Sequence, residues 1–296
     1  TWLPVFMLEF FLLVFGIGTI ATKGFMGSIF SPMNLKNLFN QSAATIIAAL
    51  GMLFVATMGS TDITTGVVVA LAGTFGLMAT NNGAPSIMFI IISLALGLLS
   101  GLLIGFCNAK LKVNSFMASL AIMMAYRAAV IWIVSDKSFY VPEGLRILDN
   151  IWVKLIIVIV LIAIIYYVFK FTRFGNYVRG IGENEVAIRH TGVNVEAVKI
   201  VAFIISGVLA AIAGIFTVVR QGGVSSTIGT GFEMKIMMAL FIGGIPVQGG
   251  EGAKVYKIIF GALSITLLEI GLPLLGAQSA LVQLIKGLFL LGAVYL

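Results

Sequence analysis

The stretch "LIIVIVLIAIIYYV", residues 155–168, holds no charge, no glycine and no proline. It runs apolar without alternating. A strand of a membrane β-barrel would switch between apolar and polar at every residue, so this stretch reads as helix. With its flanks it fills 151–169, close to the roughly 20 apolar residues that a bilayer core demands. The rest of the chain repeats the pattern. It is 60% hydrophobic and 10% charged, with 34 Gly and 22 Phe in 296 residues, and its mean hydropathy is +1.14. No soluble domain of this length needs so much apolar surface. Spanning segments must satisfy their own backbone hydrogen bonds, so the expected fold class is all-α: a polytopic membrane bundle forming one transmembrane domain over 1–296.

Ten segments qualify: roughly 4–21, 38–58, 66–80, 86–106, 115–134, 151–169, 200–219, 233–246, 256–271 and 277–295. The third is short and follows the polar strip "GSTDITTG" at 59–66, so it or its neighbour reads as broken or half-inserted. Residues 1–21 lack a basic leader and a clear cleavage site, and read as a helix rather than a signal peptide. The chain starts at Thr1 without a methionine, which suggests a short missing N-terminus.

Loop charge sets the expected orientation. With the N-terminus inside, the inner loops and helix edges hold nine Lys and Arg and the outer ones six. The loop 170–199 supplies five of the nine. Both termini and that loop are therefore expected in the cytoplasm. The net charge of +7 is read as this bias and not as a nucleic-acid footprint.

Small residues recur every four positions: Gly97, Gly101 and Gly105, Gly207 with Ala211, and Ala210 with Gly214. Such faces let helices pack closely, here more simply within one chain than across a dimer seam. The single Cys107 excludes an internal disulfide framework and reads as a buried small residue. One histidine and one cysteine are too few for a metal site. No G-x-x-x-x-G-K-[ST] phosphate loop is present.

Within the inner loop, "GENEVAIRHTG" at 182–192 concentrates charge. Residues 183–191 read as a short helix started by Gly182 and stopped by Gly192. Glu183 and Glu185 suit its first turn, and Arg189 and His190 its last. Glu185 and Arg189 are also spaced as an i,i+4 pair. A helix this short needs something packed against it. Either it is a plain solvated loop helix or it docks a soluble partner.

Deeper in the apolar segments lie Glu9, Arg127, Lys154, Glu269 and Lys286. Glu9 and Lys286 could snorkel to an interface, and Lys154 and Glu269 lie near outer helix ends. Arg127 is the deepest, and either serves a solute pathway or pairs inside the bundle. Asp62 either caps a helix beginning near Ile63 or contacts solute. Asp62, Thr64, Asn114, Phe116 and Arg127 are the pathway or gate candidates.

Three stretches together carry a resemblance: "YVRGIGENEVAIRHTGVNVEAVKIVAFIISGVLAAIAG" (177–214), "MGSTDITTGVVVALAGTFG" (58–76) and "ALFIGGIPVQGGEGAKVYKIIFGAL" (239–263). In order and spacing they resemble the permease subunits of bacterial ATP-binding-cassette importers, in the branch of ribose and other monosaccharide permeases. The likeness departs at Ile245–Gln248, at Asn81–Pro85 and in 135–150. It implies a dimer of permease protomers, homo- or heterodimeric, in the bacterial inner membrane. It implies a coupling helix seated in a cytoplasmic ATPase, with Glu183, Glu185, Val186, Ile188, Arg189 and Gly192 at the contact. An extracytoplasmic binding protein would deliver the solute. ATP and magnesium would sit on the ATPase, with no cofactor on this chain and no nucleic-acid partner. The expected function is passage of a small polar solute, foremost a monosaccharide, by alternating access. A nucleoside importer of the same family and an ion-coupled secondary transporter are the alternatives. A scaffold that docks another protein through its basic loop is a further one.

Overall fold

The protein, seen in a computed structural model that describes residues 2–135, 137–246, 249–250 and 252–295, is built almost wholly from helices. In chain order they are α1 (Leu3–Gly27), α2 (Pro32–Thr57), α3 (Thr65–Asn81), α4 (Ile87–Ala109), α5 (Ser115–Val134), α6 (Ile151–Phe171), α7 (Arg173–His190), α8 (Val195–Gln221), α9 (Phe232–Ile242), α10 (Val255–Leu274) and α11 (Ser279–Tyr295). A 3-10 helix covers Glu143–Asp149. A two-residue ribbon pairs β1 (Phe139–Tyr140) antiparallel with β2 (Gly223–Val224).

Each expected apolar segment becomes a helix, but not each is a span. Among the described residues α1, α2, α4, α5, α6, α8 and α10 are long and apolar enough to cross a bilayer. The short span expected at 66–80 appears as α3, a continuous helix of 17 residues. The segment 233–246 is a correction: α9 has only 11 residues. Its helix stops at Ile242 because Gly244 turns into the left-handed region at φ 68°. Val247 and Gln248, part of the departure noted in the late loop, lie outside the described residues.

The charged stretch also needs correcting. Helix α7 begins at Arg173, ten positions before the expected start, with the Thr172 hydroxyl accepting from the Gly175 amide at 3.3 Å. It breaks at Asn184 (φ −158°, ψ 96°), whose Oδ1 accepts from the Ala187 amide at 3.0 Å. The terminal turn therefore starts after Asn184, and Glu183 precedes it. Gly182 is a packing residue instead of a helix start: a Cβ there would come within 2.6 Å of the Gly250 nitrogen, against the α2 carboxyl end. Gly192 at φ 82° does end the helix region, as the sequence suggests.

Helix α8 runs through the middle, packed on α2, α3, α4 and α7. Its partner α4 is held by the small-residue faces. A Cβ at Gly101 would lie 2.7 Å from the Ile204 Cα, and one at Gly97 would lie 2.6 Å from the Ala211 Cβ. The four-residue repeats are thus an intramolecular seam. Cys107 on α4 is free and half-buried rather than buried.

The contacts of α8 also fix the depth of the short helices. Gly214 packs on Val69 and Gly73 on Val218, so α3 climbs beside the second half of α8 in the same direction. Its start at Thr65 lies level with Ala210, fifteen positions into α8 and about 22 Å along it at 1.5 Å per residue. Helix α9 descends antiparallel to α10, with Gly243 at Lys257 and Lys235 at Glu269. Its start lies beside that of α3: a Cβ at Gly66 would come 2.6 Å from the Gly229 carbonyl oxygen. Two short helices, of 17 and 11 residues, therefore begin at one mid-depth junction and leave it in opposite directions.

Candidate functional site

The junction is organised by two carboxylates. Asp62 is 2% exposed. Its Oδ1 accepts from the Thr64 amide at 3.0 Å and the Thr64 hydroxyl at 2.6 Å, and its Oδ2 accepts from the Ser206 hydroxyl at 3.0 Å. Asp62 thus shapes the turn before α3 and ties it to α8. It caps that turn, while the helix itself starts at Thr65 and not near Ile63. Glu233 in the first turn of α9 accepts from its own Gly231 amide at 3.3 Å, and its Oε2 lies against Gly66 in the first turn of α3. A single negative charge so faces the positive ends of two helix dipoles, where it is favourable.

Of the remaining pathway candidates, Arg127 reaches the same region from α5. Its guanidinium donates to the Ile228 carbonyl at 2.8 Å and braces the segment leading into α9. Asn114 and Phe116 sit apart, at the α7 end. The Asn114 Oδ1 accepts from the Phe116 amide at 2.9 Å as the cap of α5, and Phe116 is exposed. Their neighbour Ser115 links back, its hydroxyl accepting from the Thr61 amide at 3.1 Å. The structure therefore gathers Asp62, Thr64 and, through Ile228, Arg127 around the junction, and leaves Asn114 and Phe116 at its approach.

The terminal turn of α7 is bolted to α8. The Glu185 carboxylate accepts from Lys199 of α8 at 2.6 Å and from Arg189 at 3.1 Å. Arg189 also lies 4.0 Å from Glu196, which Lys110, just past the end of α4, meets at 3.0 Å. Partial burial works to raise the Glu185 carboxyl, but the hydrogen bond and charge of Lys199, and then of Arg189, outweigh it and hold the group below its ordinary value. A lowered carboxylate adds stability above its unfolded pKa of about 4.3 and loses it as pH falls through the lowered value, so the bolt is closed at neutral pH. Ile188 turns inward onto Gly180. Glu183, Val186, Arg189, His190 and Gly192 remain exposed.

A cavity of about 600 Å³ opens beside the junction, between α2, α8, α9, α10, α11 and the 225–231 segment. Asn40, Gln41 and Thr217 give it a polar wall. Glu269 of α10 stands in it between two lysines, Lys235 of α9 at 2.6 Å and Lys286 of α11 in direct contact. This cluster was not legible in the sequence. Lys235 reads there as a cation at an outer helix edge and Lys286 as an interfacial one. Only the shortness of α9 carries Lys235 to mid-depth, and no residue pattern announces it. Lys154 is likewise internal, donating to Asn40 at 3.0 Å and to Asp149 at 2.5 Å.

The family described as branched-chain amino acid transport system / permease component matches residues 34–294. The ribose import permease protein of Escherichia coli (strain K12) is 29% identical over 281 residues, covering 90% of this chain and 86% of that protein. The xylose transport system permease protein of Haemophilus influenzae is 28% identical over 338 residues, covering 91% of this chain and 90% of that protein. The autoinducer 2 import system permease protein of Escherichia coli is 30% identical over 271 residues, covering 88% of this chain and 78% of that protein. No solved structure matches.

Proposed function

We propose a function from one premise: the chain belongs to the branched-chain amino acid transport system / permease component family, and is a multi-pass membrane permease subunit rather than an enzyme. On that premise it is one protomer of a dimeric importer in the bacterial inner membrane. An ATP-binding-cassette ATPase that holds ATP and magnesium drives it, and an extracytoplasmic binding protein feeds it. The relatives named for ribose and xylose favour a monosaccharide-type solute. The whole chain forms one permease domain, both termini face the cytoplasm, and residues 170–199 couple to the ATPase.

The observation that carries this reading is the path from the terminal turn of α7 to the junction. The exposed side of that turn can be gripped. Glu185 passes displacement to Lys199 on α8. Seven residues further along α8, Ser206 holds Asp62 and with it the start of α3. A push on α7 therefore reaches the mid-depth junction through a helix and two polar contacts, without crossing a loose loop. This is the linkage alternating access requires: one discrete element biased from a distant site.

Two measurements test it. In the reconstituted complex, Val186→Asp alters an exposed side chain (63%) and is expected to leave folding intact while cutting solute-stimulated ATP turnover about tenfold, a loss of about 1.4 kcal/mol in coupling. Glu185→Lys is expected to do the same by unbolting the turn from Lys199. Unchanged stimulation in both variants removes the coupling role. Orientation is tested in a Cys107→Ala background. Glu143→Cys is expected to react with a membrane-impermeant thiol reagent on intact cells, and Ala187→Cys only after lysis. The reverse pattern overturns the topology.

A further inference from the structure

The cavity beside the junction holds more positive charge than it neutralises. Arg220, Lys235 and Lys286 line it, and Glu269 is its one lining carboxylate. Glu269 is already shared by both lysines. Arg220 has no carboxylate at ion-pair distance among the described residues. Asp149, the acid whose field reaches it, is engaged by Lys154 at 2.5 Å. Glu233 on the neighbouring turn points away, toward Gly66. The wall thus carries a formal surplus of two positive charges, one in the Lys235–Glu269–Lys286 cluster at mid-depth and one at the cavity mouth, where Arg220 is exposed in the last turn of α8. The inner excess, two lysines on one carboxylate, is costly at that depth and marks function by default. A neutral sugar cannot relieve it.

Resting on the importer reading, we infer that this cavity is the solute site and that its preferred solute is a polyhydroxylated small molecule bearing a carboxylate or phosphate, a sugar acid or sugar phosphate rather than a neutral sugar. The amides of Asn40, Gln41 and Gln283 and the hydroxyl of Thr217 suit the hydroxyl groups. Arg220, which offers a planar fork of donors, takes the anionic end. Lys286 adds charge from the opposite wall while Lys235 stays paired with Glu269. About 600 Å³ is ample for one such molecule. Open mid-depth placement beside two helix starts allows the solute to be held by charge and released when α3 and α9 shift.

The test is calorimetric titration of the full chain in zwitterionic-lipid nanodiscs with D-ribonate and with D-ribose, which share a carbon skeleton and differ in the carboxylate. Ribonate is expected to half-saturate at a concentration about tenfold lower than ribose. Arg220→Gln breaks no ion pair and should fold as wild type. It is expected to bring the two half-saturation values within about twofold of each other. Lys286→Gln, which leaves the Lys235–Glu269 pair intact, should act in the same direction. Ribose binding as tightly as ribonate, or an unchanged ratio in Arg220→Gln, overturns the inference. So does an absence of binding for both compounds. Loss of ribonate binding on adding phosphatidylglycerol, in wild type but not in Arg220→Gln, would assign the cavity to a lipid headgroup and overturn it too. None of these outcomes bears on the importer reading, which is decided by ATP turnover in the Val186→Asp and Glu185→Lys complexes.

Discussion

Gly207→Val is expected to abolish folded protein. A Cβ at position 207 would sit against the Gly97 carbonyl oxygen and 3.0 Å from the Gly101 nitrogen, and the obstructing atoms are backbone. Backbone cannot rotate away as a side-chain tip can. The only relief is to part α4 from α8 along the seam of Gly97, Gly101 and Gly105. Overpacking a core commonly costs about 1–3 kcal/mol, and here the contact broken is the one that seats the central helix. In lipid that contact has little hydrophobic drive to replace it, since close packing is its main source of affinity. The readout is fluorescence-detected size-exclusion of detergent extracts, with Gly292→Ala as the control because nothing lies within 4 Å of its Cβ position. A monodisperse Gly207→Val peak at wild-type yield would show that the two helices do not approach as closely as described.

Much of this architecture was legible because it is periodic. Runs such as 155–168 declare spans by length and apolarity, and the four-residue glycine spacing declares a close seam. The pair Glu185–Arg189 and the stop at Gly192 were readable because helix ends obey local rules. What sequence could not give is depth. Lys235 lies one turn into an apolar stretch and looks interfacial until α9 proves to be 11 residues long and to start beside Glu269. The start of α7 was missed for a related reason: Arg173–Gly182 is polar and glycine-bearing, and reads as loop. It is helical because Gly175 fits against the nearby α6 end at Phe169 and Gly182 against the α2 end at Thr57, a contact between residues far apart in the chain. Asp62 shows the limit of local rules most plainly. Its bond to Thr64 is a local capping rule, while its bond to Ser206, 144 positions away, is what links α3 to the lever of α8.

The Glu269 cluster gives a second large effect, and an asymmetric one. One carboxylate serves two lysines, so the three members are not equivalent. Glu269→Ala leaves Lys235 (9% exposed side chain) and Lys286 (22%) facing each other unpaired. Removing one partner of a buried pair costs about 3–5 kcal/mol, because the stranded charge keeps its desolvation penalty. Total stability of a domain is about 5–15 kcal/mol, so this loss should leave little folded protein at 37 °C. Lys286→Gln, in contrast, leaves a one-to-one Lys235–Glu269 pair at 2.6 Å, and Lys235→Met leaves a one-to-one Lys286–Glu269 pair. Each should cost less than about 1 kcal/mol, since the charge count becomes balanced. The expected order of thermal midpoints is therefore wild type close to both lysine variants, with Glu269→Ala far below. The double variant Glu269→Gln/Lys235→Met restores the native net charge but leaves Lys286 without its carboxylate, so it should recover only part of the loss. Thermal unfolding followed by light scattering in detergent ranks them. A Glu269→Ala midpoint within a few degrees of wild type would mean that the two lysines reach water, and that the cavity is too wet for its surplus charge to attract a solute.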